Sequence, residues 1–229
     1  MMAKHLYAGR LLQTGINSIG INSIKPGNIF HRFYHINPKR MPTTAYQIKL
    51  ELSGSTPKIW RRLIIPADML LSDLHKMIQT AMGWTNSHLH MFVKGRVMLE
   101  PAIDDDFMDS SGIDYTGYTI DSLLVARNDK IRYDYDFGDG WEHTITLEKV
   151  MNDYDGKLPV CTAGALNCPP EDVGGIWGFQ EFKKAIKNHN HPEHEEYKEW
   201  IGEHYDPDYF DLDEINEMLR EDNFGVFEW

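Results

Sequence analysis

Two short stretches of the sequence place carboxylates where they could do chemistry. The first contains Asp136, Asp139 and His143 within eight residues. The second is the pair Glu171 and Asp172, which lies between two prolines and two glycines. Carboxylates near a histidine can transfer protons to a substrate or hold a hard metal ion, and a rigid loop displays its carboxylates in a fixed direction. These five residues are therefore the candidate catalytic residues of the chain.

Histidines and cysteines supply a second set of candidates, for metal binding. His88 and His90 are two residues apart in a stretch that predicts a strand, so both rings are expected on one face of it. Zinc binds nitrogen and sulfur donors, which adds His143, Cys161 and Cys168 as weaker candidates. The six residues between the two cysteines do not match the C-x₂-C spacing of zinc ribbons and redox motifs.

Each of these groups also has a purely structural interpretation. Asp139 lies between Gly138 and Gly140, as expected in a hairpin turn. Asp136 could pair with a neighbouring arginine, and His143 falls on an apolar stripe that would bury it. Two cysteines are too few for a secreted disulfide framework, so reduced thiols in a cytoplasmic protein are the simpler expectation.

The charge distribution limits the partners that the chain can bind. The net charge of −12 is the sum of +6 in residues 1–40, which contain no acidic residue, and −18 in residues 41–229. Such an acidic body repels phosphate backbones, which argues against tight binding of duplex DNA. No apolar run approaches the ~20 residues of a membrane span. The expected partner is an unidentified protein or small molecule.

Residues 1–40 differ from the rest of the chain in their sequence pattern. They show neither the 3.6-residue nor the 2-residue period of an amphipathic helix or strand. We interpret them as a basic, poorly structured extension upstream of a true start at Met41; a transit peptide and a nucleic-acid-binding arm are the alternatives. Residues 41–229 are then expected to form a single domain.

Apolar periodicity predicts an α+β fold for that domain. Alternating residues predict two β-hairpins and a further strand in one mixed sheet. Apolar residues at helical spacing from Leu71 to Met82 predict a helix, with start signals at Ser72 and Asp73 and a stop at Gly83. The opening order of strand, strand, helix, strand resembles a β-grasp domain. The predicted strands are 46–52, 59–65, 88–93, 131–137 and 141–150; acidic residues 100–116 and residues 159–178 are predicted as loops; helices are predicted at 179–188, 193–203 and 211–220.

Several sequence blocks occur in the order found in a known family. They are Pro57 to Arg62, Leu74-His75, Met82-Gly83-Trp84, His88-Leu89, Tyr133 to His143, Cys161 with Gly164, Cys168 to Gly175, Asp206-Pro207 and Phe210-Asp211. In these blocks the chain resembles the plasmid pRiA4b ORF-3-like family. The resemblance implies a prokaryotic protein that is often encoded on plasmids or beside transposable elements, with no established activity. Many relatives carry a third cysteine where this chain has Val173, which weakens any metal site built on three thiolates.

The motifs of the common enzyme classes are missing from the sequence. It contains no phosphate-binding loop, no dinucleotide-binding G-x-G-x-x-G, no G-x-S-x-G elbow and no H-E-x-x-H. We therefore expect a non-enzymatic binding or accessory module. The alternative is a metal-dependent hydrolase or nuclease-like enzyme that uses the histidines and carboxylates named above, with a divalent metal as its cofactor. The alternative requires these side chains to converge in one cleft.

Deleting residues 1–40 should leave the melting temperature unchanged, because the segment has no periodic apolar face to contribute to a core. Thermal unfolding of the full chain and of residues 41–229 checks this expectation. A fall of several degrees on truncation would mean that the segment packs on the domain.

Overall fold

The structure of the chain is a computed structural model that describes residues 43–102, 112–202 and 205–226. The predicted extension at 1–40 and residues 103–111 of the predicted acidic loop lie outside these ranges. Within them the elements are β1 (Thr43–Leu52), β2 (Trp60–Pro66), α1 (Leu71–Met82), β3 (His90–Lys94), β4 (Val97–Glu100), β5 (Ile113–Asp114), β6 (Lys130–Tyr135), β7 (Trp141–Tyr154), β8 (Val160–Ala165), α2 (Gly175–Lys187), α3 (His194–Ile201) and α4 (Leu212–Met218), with short 3₁₀ turns at Ile120–Ser122 and Asp222–Gly225.

All eight strands of the described residues belong to one sheet. Its order is β5-β4-β3-β6-β7-β1-β2-β8, and every neighbouring pair is antiparallel except β4 and β5, which are parallel. The predicted α+β class with a mixed sheet is thus confirmed. The resemblance to a β-grasp is not, because β3 pairs with β4 and β6 and is separated from β1 by two strands.

Alternating burial explains why β1 forms where the sequence predicts it. Ile48, Leu50 and Leu52 are fully buried, whereas the residues between them are half-buried. Burying each such side chain stabilises the fold by about 1.5–3 kcal/mol. The buried side chains of α1, among them Leu74 and Ile78, join the same core. The sheet and α1 therefore share one apolar interior.

Helix α1 begins and ends close to where the sequence predicts. Gly83 takes a left-handed φ of 80° and its N–H donates to the carbonyls of Gln79 and Thr80, a conformation that favours glycine. The helix begins at Leu71, the first residue of the apolar repeat and one residue before the start signals at Ser72 and Asp73, and no side chain caps it. At this end Leu71 N donates instead to the backbone carbonyl of Tyr118 at 3.0 Å.

Two further predictions on strands need correction. Residues 159–178 are not one loop, since β8 occupies Val160–Ala165 and forms an edge of the sheet. The outer edge of β8 is paired by Asn216 of α4, whose amide accepts from Cys161 N at 2.8 Å and donates to Cys161 O at 2.9 Å. Phe137 lies beyond the end of β6 and is 52% exposed, so it does not share the buried face of Tyr133 and Tyr135.

The C-terminal third is helical, as predicted. Helices α2, α3 and α4 occupy the three predicted positions with boundaries shifted by a few residues. Phe179 and Phe182 of α2 are buried and pack with Tyr197 and Tyr205 at the edge of the core. No helix among the described residues is long and apolar enough to span a bilayer.

Candidate metal site

Three loops meet at the end of the sheet where β6 turns into β7. They are the segment 83–89 before β3, the turn 136–140, and the segment 166–174 before α2. Each contains an Asn or Asp with a left-handed backbone: Asn86 with φ 62°, Asp136 with φ 53° and Asp172 with φ 60°. Asn and Asp tolerate this conformation better than other residues with side chains, and such conformations persist only where the surroundings hold them.

The turn between β6 and β7 is closed by Asp136. Its Oδ1 accepts hydrogen bonds from Gly138 N at 2.9 Å and Asp139 N at 3.3 Å, and its carbonyl accepts from Gly140 N at 2.6 Å. Asp139, to which the sequence assigned the turn, has a different role. Its Oδ2 accepts from Gly174 N at 3.1 Å, so it joins the tip of the hairpin to the start of α2.

Glycine at position 175 permits this close approach. Gly175 has φ 66°, and a Cβ atom built on it would lie 2.4 Å from the carbonyl oxygen of Asp139. No other residue type fits this contact between the hairpin tip and α2. Backbone packing therefore requires glycine at position 175, whereas Gly174 is favoured by its φ of 90°.

The carboxylate of Glu171 connects the three loops. Its Oε1 accepts the hydroxyl of Tyr135 at 2.5 Å, and its Oε2 accepts Thr85 N at 3.2 Å and Thr85 Oγ1 at 2.5 Å. The same Tyr135 hydroxyl accepts from Ser87 N at 3.0 Å. Burial, and then the bond to Glu171, raise the pKa of Tyr135, so this phenol stays protonated and donates. Glu171 is thus a positioning carboxylate.

Helix α1 holds the loop before β3 through hydrogen bonds with two of its side chains. His75 bonds through Nε2 to Asn86 Oδ1 at 2.6 Å and through Nδ1 to the Tyr133 hydroxyl at 2.8 Å, and Gln79 Oε1 accepts Asn86 N at 3.1 Å. Burial lowers the pKa of His75 to about 4. The ring is therefore neutral, and since Asn86 Oδ1 can only accept, its Nε2 carries the proton. The left-handed turn at Asn86 is therefore held by hydrogen bonds at its side-chain oxygen and at its backbone N–H.

The sequence predicted that His88 and His90 share one face of a strand, and this prediction is wrong. The strand begins only at His90, because the chain before it follows the anchored turn at Asn86. The His90 ring is buried, stacks on His75 at a centroid distance of 3.4 Å and bonds the Tyr115 hydroxyl at 2.7 Å. Burial, with a smaller contribution from His75, lowers the pKa of His90 to about 2. It is a neutral core residue.

His88 instead faces the two aspartates. Its Nδ1 lies 3.8 Å from Asp136 Oδ1 and its Nε2 lies 3.5 Å from Asp172 Oδ1. One ligand atom from each of the three residues lies within 4.8 Å of the others, and among the described residues no other group of three His, Cys, Asp or Glu side chains meets in this way. An imidazole nitrogen with two carboxylate oxygens is a donor set that suits Zn²⁺ or Mn²⁺.

The remaining metal candidates lie elsewhere. His143 is fully buried, with its Nδ1 3.3 Å from the Tyr133 carbonyl and its Nε2 without a hydrogen-bond partner among the residues that the structure describes. Cys168 is buried with its Sγ 3.1 Å from Arg61 Nη2, and Cys161 is buried on β8. Burial raises the pKa of both thiols. Of the nine candidates, the structure brings together only His88, Asp136 and Asp172.

The residues that hold the loops were not singled out from the sequence. Thr85, Asn86 and Tyr135 carry no motif of their own. Tyr135 lies in one of the blocks shared with the family and alternates with two aspartates, whereas Asn86 lies only in a short polar segment two residues before His88. Thr85 and Tyr135 bond Glu171, which lies 86 and 36 positions away in the chain, and local patterns do not report such contacts.

Comparisons with known proteins place the chain in one group of relatives. The family model described as "Plasmid pRiA4b ORF-3-like protein" matches residues 44–214. The uncharacterized protein y4hQ of Sinorhizobium fredii (strain NBRC 101917 / NGR234) is 37% identical over 163 residues, which is 71% of this chain and 83% of that protein. The crystal structure of MM3350, a protein of unknown function from Methanosarcina mazei Go1, is 34% identical with a TM-score of 0.66 and covers 74% of this chain and 96% of that chain. Neither name states an activity, so these relatives give no support to the hydrolase or nuclease alternative.

Because of His143, the protein should be less stable in mild acid than at neutral pH. Burial lowers its pKa from 6.5 to about 4, so between these pH values the unfolded chain binds a proton that the folded chain does not. Its contribution to stability is complete above pH 6.5 and is lost as the pH falls towards 4. Relative to His143→Leu, the wild type should lose up to about 3 kcal/mol of unfolding free energy across this window. Urea unfolding of both proteins at several pH values measures the loss, and parallel curves would contradict it.

Proposed function

The chain belongs to the plasmid pRiA4b ORF-3-like protein family, and we propose that it is a binding module that takes up a divalent cation at His88, Asp136 and Asp172. The observation that carries the proposal is the convergence of one ligand atom from each residue within 4.8 Å. The three residues come from three different loops. Two of them, Asp136 and Asp172, are held in left-handed backbone conformations.

The exposure of the three ligands supports a site that is open on one side. The side chain of Asp136 is 9% exposed and that of His88 is 26% exposed, whereas that of Asp172 is 74% exposed. Three protein ligands leave coordination positions for water or for a donor atom of a partner. The cation would therefore be held from the protein side by Asp136 and His88 and remain accessible beside Asp172.

The other candidate carboxylates support binding rather than hydrolysis. Glu171 uses both oxygens on Tyr135 and Thr85, and Asp139 bonds the backbone of Gly174. A general base must be able to reach the proton that it abstracts, and these two groups are engaged in holding the loops. The site as built is suited to recruiting a cation and the group that the cation binds.

The proposal includes the setting of the protein. We place it in the cytoplasm, where the two unpaired cysteines would stay reduced. Residues 41–229 would act as one domain. Their net charge of −18 attracts cations from solution and opposes contact with duplex DNA.

Asp136→Asn should abolish most of the cation binding without disturbing the turn. Asn can still accept the bonds from Gly138 and Asp139 and tolerates the same backbone, but it removes one anionic ligand. Isothermal titration of untagged, chelator-treated protein with Zn²⁺ and with Mn²⁺ should show one site in the wild type. The variant should bind at least about tenfold more weakly, since even changes outside the ligand shell bring losses of that size.

Asp129→Asn is the matched control. Asp129 also closes a turn with its carboxylate, accepting from Val125 N at 2.9 Å and Ala126 N at 3.0 Å, but it is not part of the cluster. Its variant should bind the cation as the wild type does. Wild-type protein that takes up neither cation, or an Asp136→Asn variant that binds with unchanged affinity, would contradict the proposed function.

A further inference from the structure

We propose that a second pocket, between α2 and the turn at residues 54–57, binds a small organic monocarboxylate with an apolar body. The cavity has a volume of about 540 Å³, within the range of about 300–1,000 Å³ that small-molecule sites occupy. It shares no residue with the cluster of His88, Asp136 and Asp172. The inference is therefore independent of the proposed cation site.

The walls of this pocket are largely apolar. Pro57, Ile59, Leu166, Phe179 and Pro207 line it. Ile59 and Phe179 are 1% and 2% exposed and belong to the core. These two residues anchor the wall in the close-packed core, and Pro57 and Leu166, which are more exposed, supply apolar surface that a ligand can contact.

Three lysines of α2 also line the pocket, and two of them are neutralised. Lys184 pairs with Glu181 at 2.6 Å, and Lys187 pairs with Asp208 at 2.7 Å. Among the residues that the structure describes, Lys183 forms no such ion pair. Its charge is the one that a bound anion would compensate.

Lys183 is also held in position. Its Nζ donates to the Thr56 carbonyl at 3.3 Å and lies 4.5 Å from the centroid of the Phe179 ring. Partial burial lowers the pKa of Lys183, in keeping with an ammonium that has lost part of its hydration. A carboxylate beside Nζ would restore a strong partner, because charge-assisted hydrogen bonds are the strong ones.

The charged residues that line the pocket also limit the charge that a ligand can carry. Lys184 and Lys187 are already paired with Glu181 and Asp208, so among the described lining residues a second negative charge on the ligand would find no free cationic partner. One uncompensated ammonium above apolar walls fits a monoanion whose remainder is apolar. Aromatic carboxylates combine both properties.

The probe is 2-naphthoate, titrated calorimetrically into the full chain in the presence of a chelator, with uncharged 2-naphthalenemethanol as the matched ligand. We expect 2-naphthoate to bind at least about tenfold more tightly than the alcohol, a difference of about 1.4 kcal/mol. Lys183→Met should weaken naphthoate binding by a similar factor and leave the alcohol unaffected. Lys183→Arg should restore most of the naphthoate affinity.

Lys184→Met is the control, because Lys184 lines the same pocket but is already paired with Glu181. It should change the naphthoate affinity by less than about twofold. Absence of naphthoate binding, equal affinity for acid and alcohol, or equal losses in the two Met variants would each overturn the proposal. If Lys183→Met does not fold, the affinities of the wild type for 2-naphthoate and for 2-naphthalenemethanol still test the proposal.

Discussion

The carboxylate of Glu171 is the contact on which the geometry of the proposed cation site depends. Its two oxygens bind Tyr135, at the end of β6, and Thr85, in the loop before β3. His88, Asp136 and Asp172 each lie within three residues of one of these three groups. This carboxylate thus links the three segments that carry the proposed ligands. Tyr135 is buried, which shields its bond from water, whereas Thr85 is exposed and its bond contributes less.

A buried polar layer supports this arrangement from the core side. His75 and Gln79 of α1 bind Asn86, and the phenol of Tyr133 links the two α1 side chains. Because burial keeps His75 neutral, this layer adds no charge beneath the proposed site. Trp84 completes the contact by donating its Nε1–H to the Pro169 carbonyl at 3.0 Å. The loops are therefore anchored both to the sheet and to α1, so a cation would meet ligands that are largely preorganised.

The sequence was sufficient for the parts of the fold that local periodicity encodes. It predicted β1, β2, the end of α1 at Gly83 and the buried stripe of β7 that includes His143, because alternation and helical spacing report burial directly. It did not predict that His88 leaves the strand, that β8 forms within a Pro- and Gly-rich segment, or that Asp136 closes the turn while Asp139 binds Gly174. The bond from Gly174 N to Asp139 joins residues 35 positions apart, and β8 pairs with β2, where Gly164 lies opposite Arg61; no local pattern contains such contacts. The bonds that close the turn at Asp136 are local, but residue type alone does not distinguish Asp136 from Asp139. The candidate residues were found by type, but their grouping required the tertiary structure.

The most direct test of this account is the dissociation constant for Zn²⁺ of Glu171→Gln, measured by titration beside the wild type. The variant keeps all three proposed ligands and the size of the side chain. It replaces one accepting oxygen by an NH₂ group, which cannot accept from Thr85 or Tyr135. If Glu171 positions the site, the dissociation constant should rise about 10- to 100-fold, as when outer-shell partners of a metal site are removed. A dissociation constant equal to that of the wild type would contradict the account, because the three ligands would then keep their places without this carboxylate.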